Sequence, residues 1–257
     1  MCCEYLRDLV AAGVKWELTE IPAAIISAEK NAMAAAARAA QNNNTPTGRV
    51  ATMVVPPIAP VQSVSVATAA AMAARPNDLD ALCRMIGEIG HPLRAGATNV
   101  VLPHIATRPN GLLIITDMPG IDDDASGKIM TGAAGELLDK MLGAIGMSRE
   151  CVSISPMLFW RTPGGRTPTA AEMDLSRPFV NRLIELSAPR VILTLGTFAG
   201  TEIAGTNLAR AHGSVVSLAN GSIAVPIYHP NYLLLKPAAK RDVWTALQQV
   251  ENLLKSA

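Results

Sequence analysis

The chain has 257 residues, of which 49% are apolar, and a formal net charge of +1 from 22 Lys and Arg against 21 Asp and Glu. This length suits one main domain with an extension, and the balanced charge excludes a protein that coats nucleic acid by charge alone. The longest apolar stretch, residues 50–74, is broken by prolines and a glutamine, which argues against a membrane span. With no secretory leader recognised at the amino end, we expect a cytoplasmic protein.

The cysteines form no pattern that binds a metal. Cys2, Cys3, Cys83 and Cys151 include no Cys-x-x-Cys pair and no Cys/His grouping of the zinc type. We expect reduced, mainly structural thiols, and we predict that the protein needs no metal or other cofactor.

Two regions differ in composition. Residues 1–75 contain a predicted helix at 4–12, an alanine-rich stretch and the polar segment 41–48, which is rich in turn formers. They are predicted to form an Ala/Pro-rich extension with a flexible linker. Residues 76–257 are predicted to form the main domain.

Short apolar runs alternate with amphipathic segments in the main domain. The runs at 112–116, 152–155, 191–195 and 223–228 are predicted strands. The segments at 135–145, 169–186, 197–204 and 240–255 are predicted helices; Thr169 and Glu172 have the spacing of a capping box. This alternation predicts an α/β fold, with three α/β/α layers and a central, mainly parallel four-stranded sheet.

Each predicted strand leads into a segment rich in polar residues or glycine. In chain order these segments read TDMPGIDDD (116–124), FWRTPGGRTP (159–168), LGTFA (195–199) and YHPNYLL (228–234). Right-handed crossovers bring the carboxyl ends of parallel strands to one edge, where α/β proteins collect their functional residues. His229 is therefore the first candidate for an active-site residue.

Together with GAAGELL at 132–138, these segments resemble the ordered motifs of the uracil-DNA glycosylase superfamily, and most closely those of its iron–sulfur branch, family four. The resemblance covers roughly residues 80–255, and five ordered matches are far harder to obtain by chance than one. It implies a monomeric DNA repair enzyme that hydrolyses the N-glycosidic bond of uracil, or of another deaminated base, in DNA.

The resemblance also shows where this chain departs from the branch. The four cluster cysteines of the branch fall near Cys83, His91, Trp160 and Ser176, which leaves one thiolate where four are needed. We therefore predict no iron–sulfur cluster.

Base recognition is altered as well. The family's base-reading asparagine aligns with Pro156, which has no side-chain amide, and its stacking phenylalanine aligns with Met130, which can still cover a ring. Base discrimination is thus predicted to be more affected than base accommodation.

The family chemistry assigns roles to individual residues. A base that leaves with negative charge needs a hydrogen-bond donor, which His229 would supply, while the cation-like sugar needs a carboxylate, Asp117 or Asp123, which would also position water. Residues implied in binding the base or the DNA are Pro119, Gly120, Met130, Arg166, Thr167, Asn231, Tyr232 and Leu233. Either Tyr232 or Leu233 would fill the stack that the flipped base leaves.

Other interpretations remain open. His229 can simply end a strand, and residues 122–124 can form a solvated turn or a helix cap. The loop between Arg161 and Arg166 can hold a phosphate or can be a plain surface turn. The function itself has an alternative, a noncatalytic member of the superfamily that binds DNA or a partner protein, which the proline at position 156 favours.

Overall fold

The computed structural model describes residues 64–256. The predicted helix at 4–12, the predicted linker at 41–48 and the first two cysteines lie outside these residues. Within them, no helix is both long enough and apolar enough to cross a membrane.

Strands β1 to β5 span Leu112–Thr116, Ser153–Pro156, Val191–Leu195, Val216–Ser217 and Ile223–Ile227. Their order in the sheet is β2-β1-β3-β5-β4, and all neighbours are parallel except β4 and β5. The predicted mainly parallel α/β fold is confirmed, but the predicted count of four strands is wrong. Strand β4 has only two residues and neither is fully buried, so it carries no apolar run that a sequence pattern could reveal.

Helices α1 to α9 span Val66–Ala73, Leu79–Glu88, Ile121–Ser126, Gly132–Ala144, Ala170–Ser187, Thr197–Ala204, Leu208–Ala211, Pro230–Leu235 and Lys240–Lys255. The four predicted helices are present as α4, α5, α6 and α9. The capping box of α5 forms as predicted, because the Thr169 hydroxyl accepts from the Glu172 amide and the Glu172 carboxylate accepts from the Thr169 amide.

Two apolar clusters cover the two faces of the sheet. On β1, Leu112 and Ile114 belong to one cluster and Leu113 and Ile115 to the other, as the alternation of side chains along a strand requires. The first cluster includes residues of α4 and α9, and the second includes residues of α1, α2 and α5. All five residues of β1 are buried, which is typical of a parallel strand covered on both faces.

Helix α1 belongs to the same compact unit as the sheet. Its Ala69 and Ala73 are at most 2% exposed and pack in the second cluster, although the sequence placed this segment in the extension that ends at residue 75.

The strand register aligns the carboxyl ends of the four parallel strands. Thr116 pairs with both Pro156 and Leu195, and Leu195 pairs with Ile227. The chain therefore leaves all four strands at the same level, and the loops that follow meet at one edge of the sheet.

Candidate active site

A cleft of about 470 Å³ lies at this edge. Its walls are residues 117–123, Met130, Thr131, Ala133, Ala134, Arg161, Gly165, His229 and Asn231. The structure thus brings His229, Asp117, Asp123, Pro119, Gly120, Met130 and Asn231 together, as the sequence predicted. Of the other residues that were implied in binding, Arg166, Thr167, Tyr232 and Leu233 are not part of the cleft wall.

The hydrogen bonds of His229 define its tautomer. Its Nδ1 accepts from the backbone N–H of Asn231 at 3.1 Å, so Nδ1 carries no proton. The remaining proton lies on Nε2, which donates to the Thr116 hydroxyl at 3.0 Å. The imidazole is consequently a neutral hydrogen-bond donor held at the cleft.

Burial favours this neutral form. Loss of solvation lowers the pKa of His229 to about 4, and the nearby Asp123 carboxylate opposes the shift only in part. At neutral pH the ring therefore keeps its single proton on Nε2.

Asp117 lies at the end of β1, against β3 and α6. Its Oδ1 accepts from the Ala199 amide at 2.7 Å, and the carboxylate lies against Gly196. A side chain at Gly196, whose φ is +106°, would collide with this carboxylate. Burial raises the pKa of Asp117 to about 6, while the amide hydrogen bonds from the start of α6 lower it.

Asp123 joins two parts of the cleft wall. Its Oδ2 accepts from the Gly120 amide at 3.1 Å, and its Oδ1 accepts from both the amide and the hydroxyl of Thr131 at 2.7 Å. The side chain is 6% exposed. The helix-cap interpretation of residues 122–124 is therefore confirmed for Asp123, whose carboxylate also lines the cleft.

Met130 has a strained backbone at the cleft. It is a non-glycine residue with φ of 53°, and it is 3% exposed. The Arg149 guanidinium donates to the Met130 carbonyl at 2.6 Å. Gly135 lies so close to the same carbonyl that a Cβ at position 135 would collide with it.

The loop after β2 brings a cation to the cleft. Arg161 lines it and makes no hydrogen bond or ion pair with any residue from 64 to 256. Arg166, by contrast, forms a two-pronged ion pair with Glu172 at 2.9 and 2.5 Å, and Thr167 is exposed outside the cleft. Arg161 is thus the cation of this loop that is available to a ligand in the cleft. The sequence indicated Arg161 only together with Arg166, as the two ends of a possible phosphate-binding loop.

The structure contradicts one of the two predicted stack-filling residues. Leu233 is 1% exposed and belongs to the core, so it cannot enter DNA. Tyr232 is half-buried and packs against the ring of Tyr228, with Lys236 Nζ 5.3 Å from its centroid. Leu234 and Leu235 of this segment are exposed, at 43% and 82%, and no sequence pattern distinguishes them from the buried Leu233.

The residues at the four cluster positions do not suit an iron–sulfur cluster, which needs cysteine thiolates. Burial raises the pKa of the Cys83 thiol to about 11, so it stays protonated. His91 uses both ring nitrogens in protein hydrogen bonds, Trp160 offers no ligand atom, and Ser176 supplies only a hydroxyl. Among residues 64–256 there is no group of three His, Cys, Asp or Glu side chains that suits a metal ion.

The motifs predicted a histidine and two carboxylates at the carboxyl edge of a mainly parallel sheet, and the structure brings these side chains together there. The family model of the uracil DNA glycosylase superfamily matches residues 103–249, and the chain belongs to this family.

Its curated relatives point to one branch of the family. A type-4 uracil-DNA glycosylase of Archaeoglobus fulgidus is 31% identical over 165 residues, which cover 61% of this chain and 82% of the relative. The type-4 enzyme of Thermotoga maritima is 32% identical over 174 residues, which cover 64% and 88%. That of Pyrobaculum aerophilum is 31% identical over 141 residues, which cover 51% and 72%.

Proposed function

We propose that this protein is a DNA glycosylase that hydrolyses the N-glycosidic bond of uracil, or of another deaminated base, in DNA. The observation that carries the proposal is the neutral His229, whose Nε2–H is a fixed donor at the cleft. Membership of the family and the likeness to type-4 uracil-DNA glycosylases support the same reaction.

His229 would stabilise the leaving base. When the glycosidic bond breaks, its electron pair goes to the base, and the negative charge spreads to the ring carbonyl oxygens. A donor that is already in place stabilises this anion without reorganisation, which is worth about 3 kcal/mol for a single hydrogen bond of this kind. The neutral imidazole has its single proton on Nε2, where it can donate to the base.

The carboxylates would act on the sugar side. Asp117 has one oxygen bound by the Ala199 amide, and its charge is available to the cation-like sugar or to the attacking water. Asp123 is already bound by three donors, so we assign it the task of holding Gly120 and Thr131 in place, with its charge as a secondary effect. Water adds to the sugar carbon, one of its two protons leaves to Asp117 or to solvent, and the departing base anion takes up a proton from solvent.

The recognition of the base differs from that of the branch. Pro156 ends β2 and is buried, and it offers no amide to a base. Met130 can cover one face of the ring, and Arg161 can donate to a carbonyl oxygen or to a phosphate. We therefore include hypoxanthine and xanthine among the bases to be tested.

Release of uracil from a labelled oligonucleotide, followed by alkaline cleavage of the strand, tests the proposal. We expect cleavage with the native protein, and a loss of about 10²–10³-fold in rate with His229→Ala at nearly unchanged DNA affinity. His104→Ala, which removes an imidazole outside the cleft, is the matched control. If the native protein binds DNA but releases none of the three bases, the noncatalytic alternative is correct.

Two finer expectations stay predictions. We propose that the protein acts as a monomer and in the cytoplasm. Sedimentation of the protein alone and with a short DNA duplex checks the first.

A further inference from the structure

His91 contacts both ends of the loop that brings Arg161 to the cleft. Its ring stacks on the indole of Trp160, with centroids 4.8 Å apart and planes 11° apart. Its Nε2 lies 3.0 Å from the carbonyl oxygen of Glu172. Trp160 directly precedes the loop 161–169, and Glu172 follows it in the first turn of α5.

The hydrogen bonds of His91 fix its ring in this position. Nδ1 accepts from the Leu93 amide at 3.2 Å, so Nε2 carries the proton and donates it to the Glu172 carbonyl. His91 is fully buried and Trp160 is 2% exposed. Burial also lowers the pKa of His91, in agreement with a neutral ring.

Glu172 continues the connection back into the loop. Its carboxylate accepts from both terminal nitrogens of Arg166 and from the Thr169 amide at 2.7 Å. Within the loop, the Thr162 hydroxyl donates to the Arg166 carbonyl at 2.6 Å. The loop is therefore closed at its base by His91 and braced inside by these polar contacts.

We propose that His91 and Trp160 form an aromatic staple that closes the base of the loop 161–169 and so positions Arg161 in the cleft, where the related branch has an iron–sulfur cluster. The staple needs no metal, because it consists of ring stacking and one neutral hydrogen bond. Its two members occupy two of the four cluster positions, and the residues at all four do not suit a cluster. The inference goes beyond the proposed function, since it concerns how the loop is held and not which bond is broken.

The first test is the iron content and the visible spectrum of the full chain, purified without added metal and again after incubation with iron and sulfide. We expect no bound iron and no cluster absorbance in either case, and unchanged thermal stability in the presence of a chelator. Retention of about four irons per chain would overturn the proposal.

The second test uses three tryptophan variants. Trp160→Ala removes the stack, Trp160→Phe keeps an aromatic ring, and Trp244→Ala is the matched control on the exposed face of α9. We expect the backbone amides of the non-proline residues in 161–168 to exchange hydrogen roughly tenfold faster in Trp160→Ala, and Trp160→Phe to restore most of the protection. Exchange that rises evenly over the whole domain would show a general structural role instead.

A comparison of KM and kcat shows whether Trp160 positions Arg161 or takes part in the chemical step. Because Arg161 is held by the staple whereas His229 is held at the N-cap of α8, Trp160→Ala should raise KM for DNA by roughly tenfold and leave kcat within a factor of about three. If Trp160→Ala does not fold, His91→Phe keeps a stacking ring and removes the hydrogen bonds to the Glu172 carbonyl and the Leu93 amide, and the same loop exchange is measured. Unchanged exchange at 161–168 in both variants would overturn the proposal even if the protein released no base.

Discussion

Two ionisable side chains at the cleft have pKa values shifted in opposite directions by the same cause. Burial disfavours charge, so it lowers the pKa of His229 to about 4 and raises that of Asp117 to about 6. At neutral pH the pair is therefore a neutral donor and an anion, which is the combination that departure of an anionic base from a cationic sugar requires.

The pH dependence of activity should report Asp117. Its carboxylate is mostly protonated below pH 6 and ionised above, so we expect kcat/KM for uracil release to rise as the pH increases through about 6. His229 stays neutral over this range and contributes no change. In Asp117→Asn the rise should disappear and the rate should stay low at every pH; a rise that survives the substitution would assign it to another group.

At the scale of the residue, sequence patterns located the residues that line the cleft better than they predicted which side chains are exposed. His229 and the two carboxylates follow strands, and the strand register brings them together. The pattern does not show which leucines of the segment 228–235 face solvent, because one short helix carries three in a row. Leu233 is buried in the core, whereas Leu234 is exposed and Leu235 is the most exposed of the three.

Helix α8 carries His229 at its N-cap and an exposed leucine at its last residue. Asn231, which lines the cleft, and Leu235 are four residues apart and so lie on the same face of the helix. This places Leu235 on the side of α8 that faces the cleft, where an apolar side chain can fill the stack that a flipped base leaves.

Leu235→Ala should therefore affect double-stranded DNA alone. Flipping a base from a duplex costs a few kcal/mol, and we expect the variant to release uracil from duplex about tenfold more slowly. A single strand needs no such help, so its rate should stay the same. Val215→Ala, another exposed apolar residue, is the control; equal loss on both substrates would exclude the stack-filling role.

Helix α4 contacts the cleft wall closely, through its Gly135 and the carbonyl of Met130. The Met130 carbonyl passes over Gly135 so tightly that a Cβ would collide with it, whereas Gly143 of the same helix has no neighbour within 4 Å. We expect Gly135→Ala to cost about 2 kcal/mol in the free energy of unfolding and to slow base release, because the Met130 segment must move.

Gly143→Ala is the matched control and should be neutral or stabilising by up to about 1 kcal/mol, since alanine favours a helix over glycine. Urea unfolding and the uracil assay measure both variants. Equal free energies of unfolding for the two variants would mean that the Met130 segment moves away from the new Cβ at no cost, which would contradict the prediction.

At the scale of the element, periodicity and capping predicted most of the fold. The long apolar strands and the capped helix α5 have strong local signals, and they lie where predicted. Strand β4, helix α3 and helix α8 have two, six and six residues, so they are too short for a periodic apolar pattern to define them.

The whole molecule is nearly neutral, so its attraction to DNA must come from a few cations close to the cleft. Arg161 is free of ion pairs within residues 64–256 and lines the cleft, while Arg166 is neutralised by Glu172. We expect few phosphate contacts and hence a weak dependence of DNA affinity on salt.

The slope of log affinity against log salt measures the number of contacts. If Arg161 binds a phosphate, Arg161→Ala should lower the magnitude of the slope by about 0.9, whereas Arg94→Ala, an exposed residue outside the cleft, should not change it. A change in uracil release at unchanged slope would instead assign Arg161 to the base.

The hydrogen bond between His229 and Thr116 has a consequence for the turnover of the enzyme. Without a substrate the Nε2–H already has an acceptor, because the buried Thr116 hydroxyl accepts a hydrogen bond from it. An incoming base therefore has to displace the Thr116 hydroxyl from the Nε2–H, and the hydroxyl accepts this hydrogen bond again when the base departs. The threonine acts as an internal competitor of free uracil, which weakens inhibition by the product; Thr116→Val would lose this competition and should hold the released base more tightly.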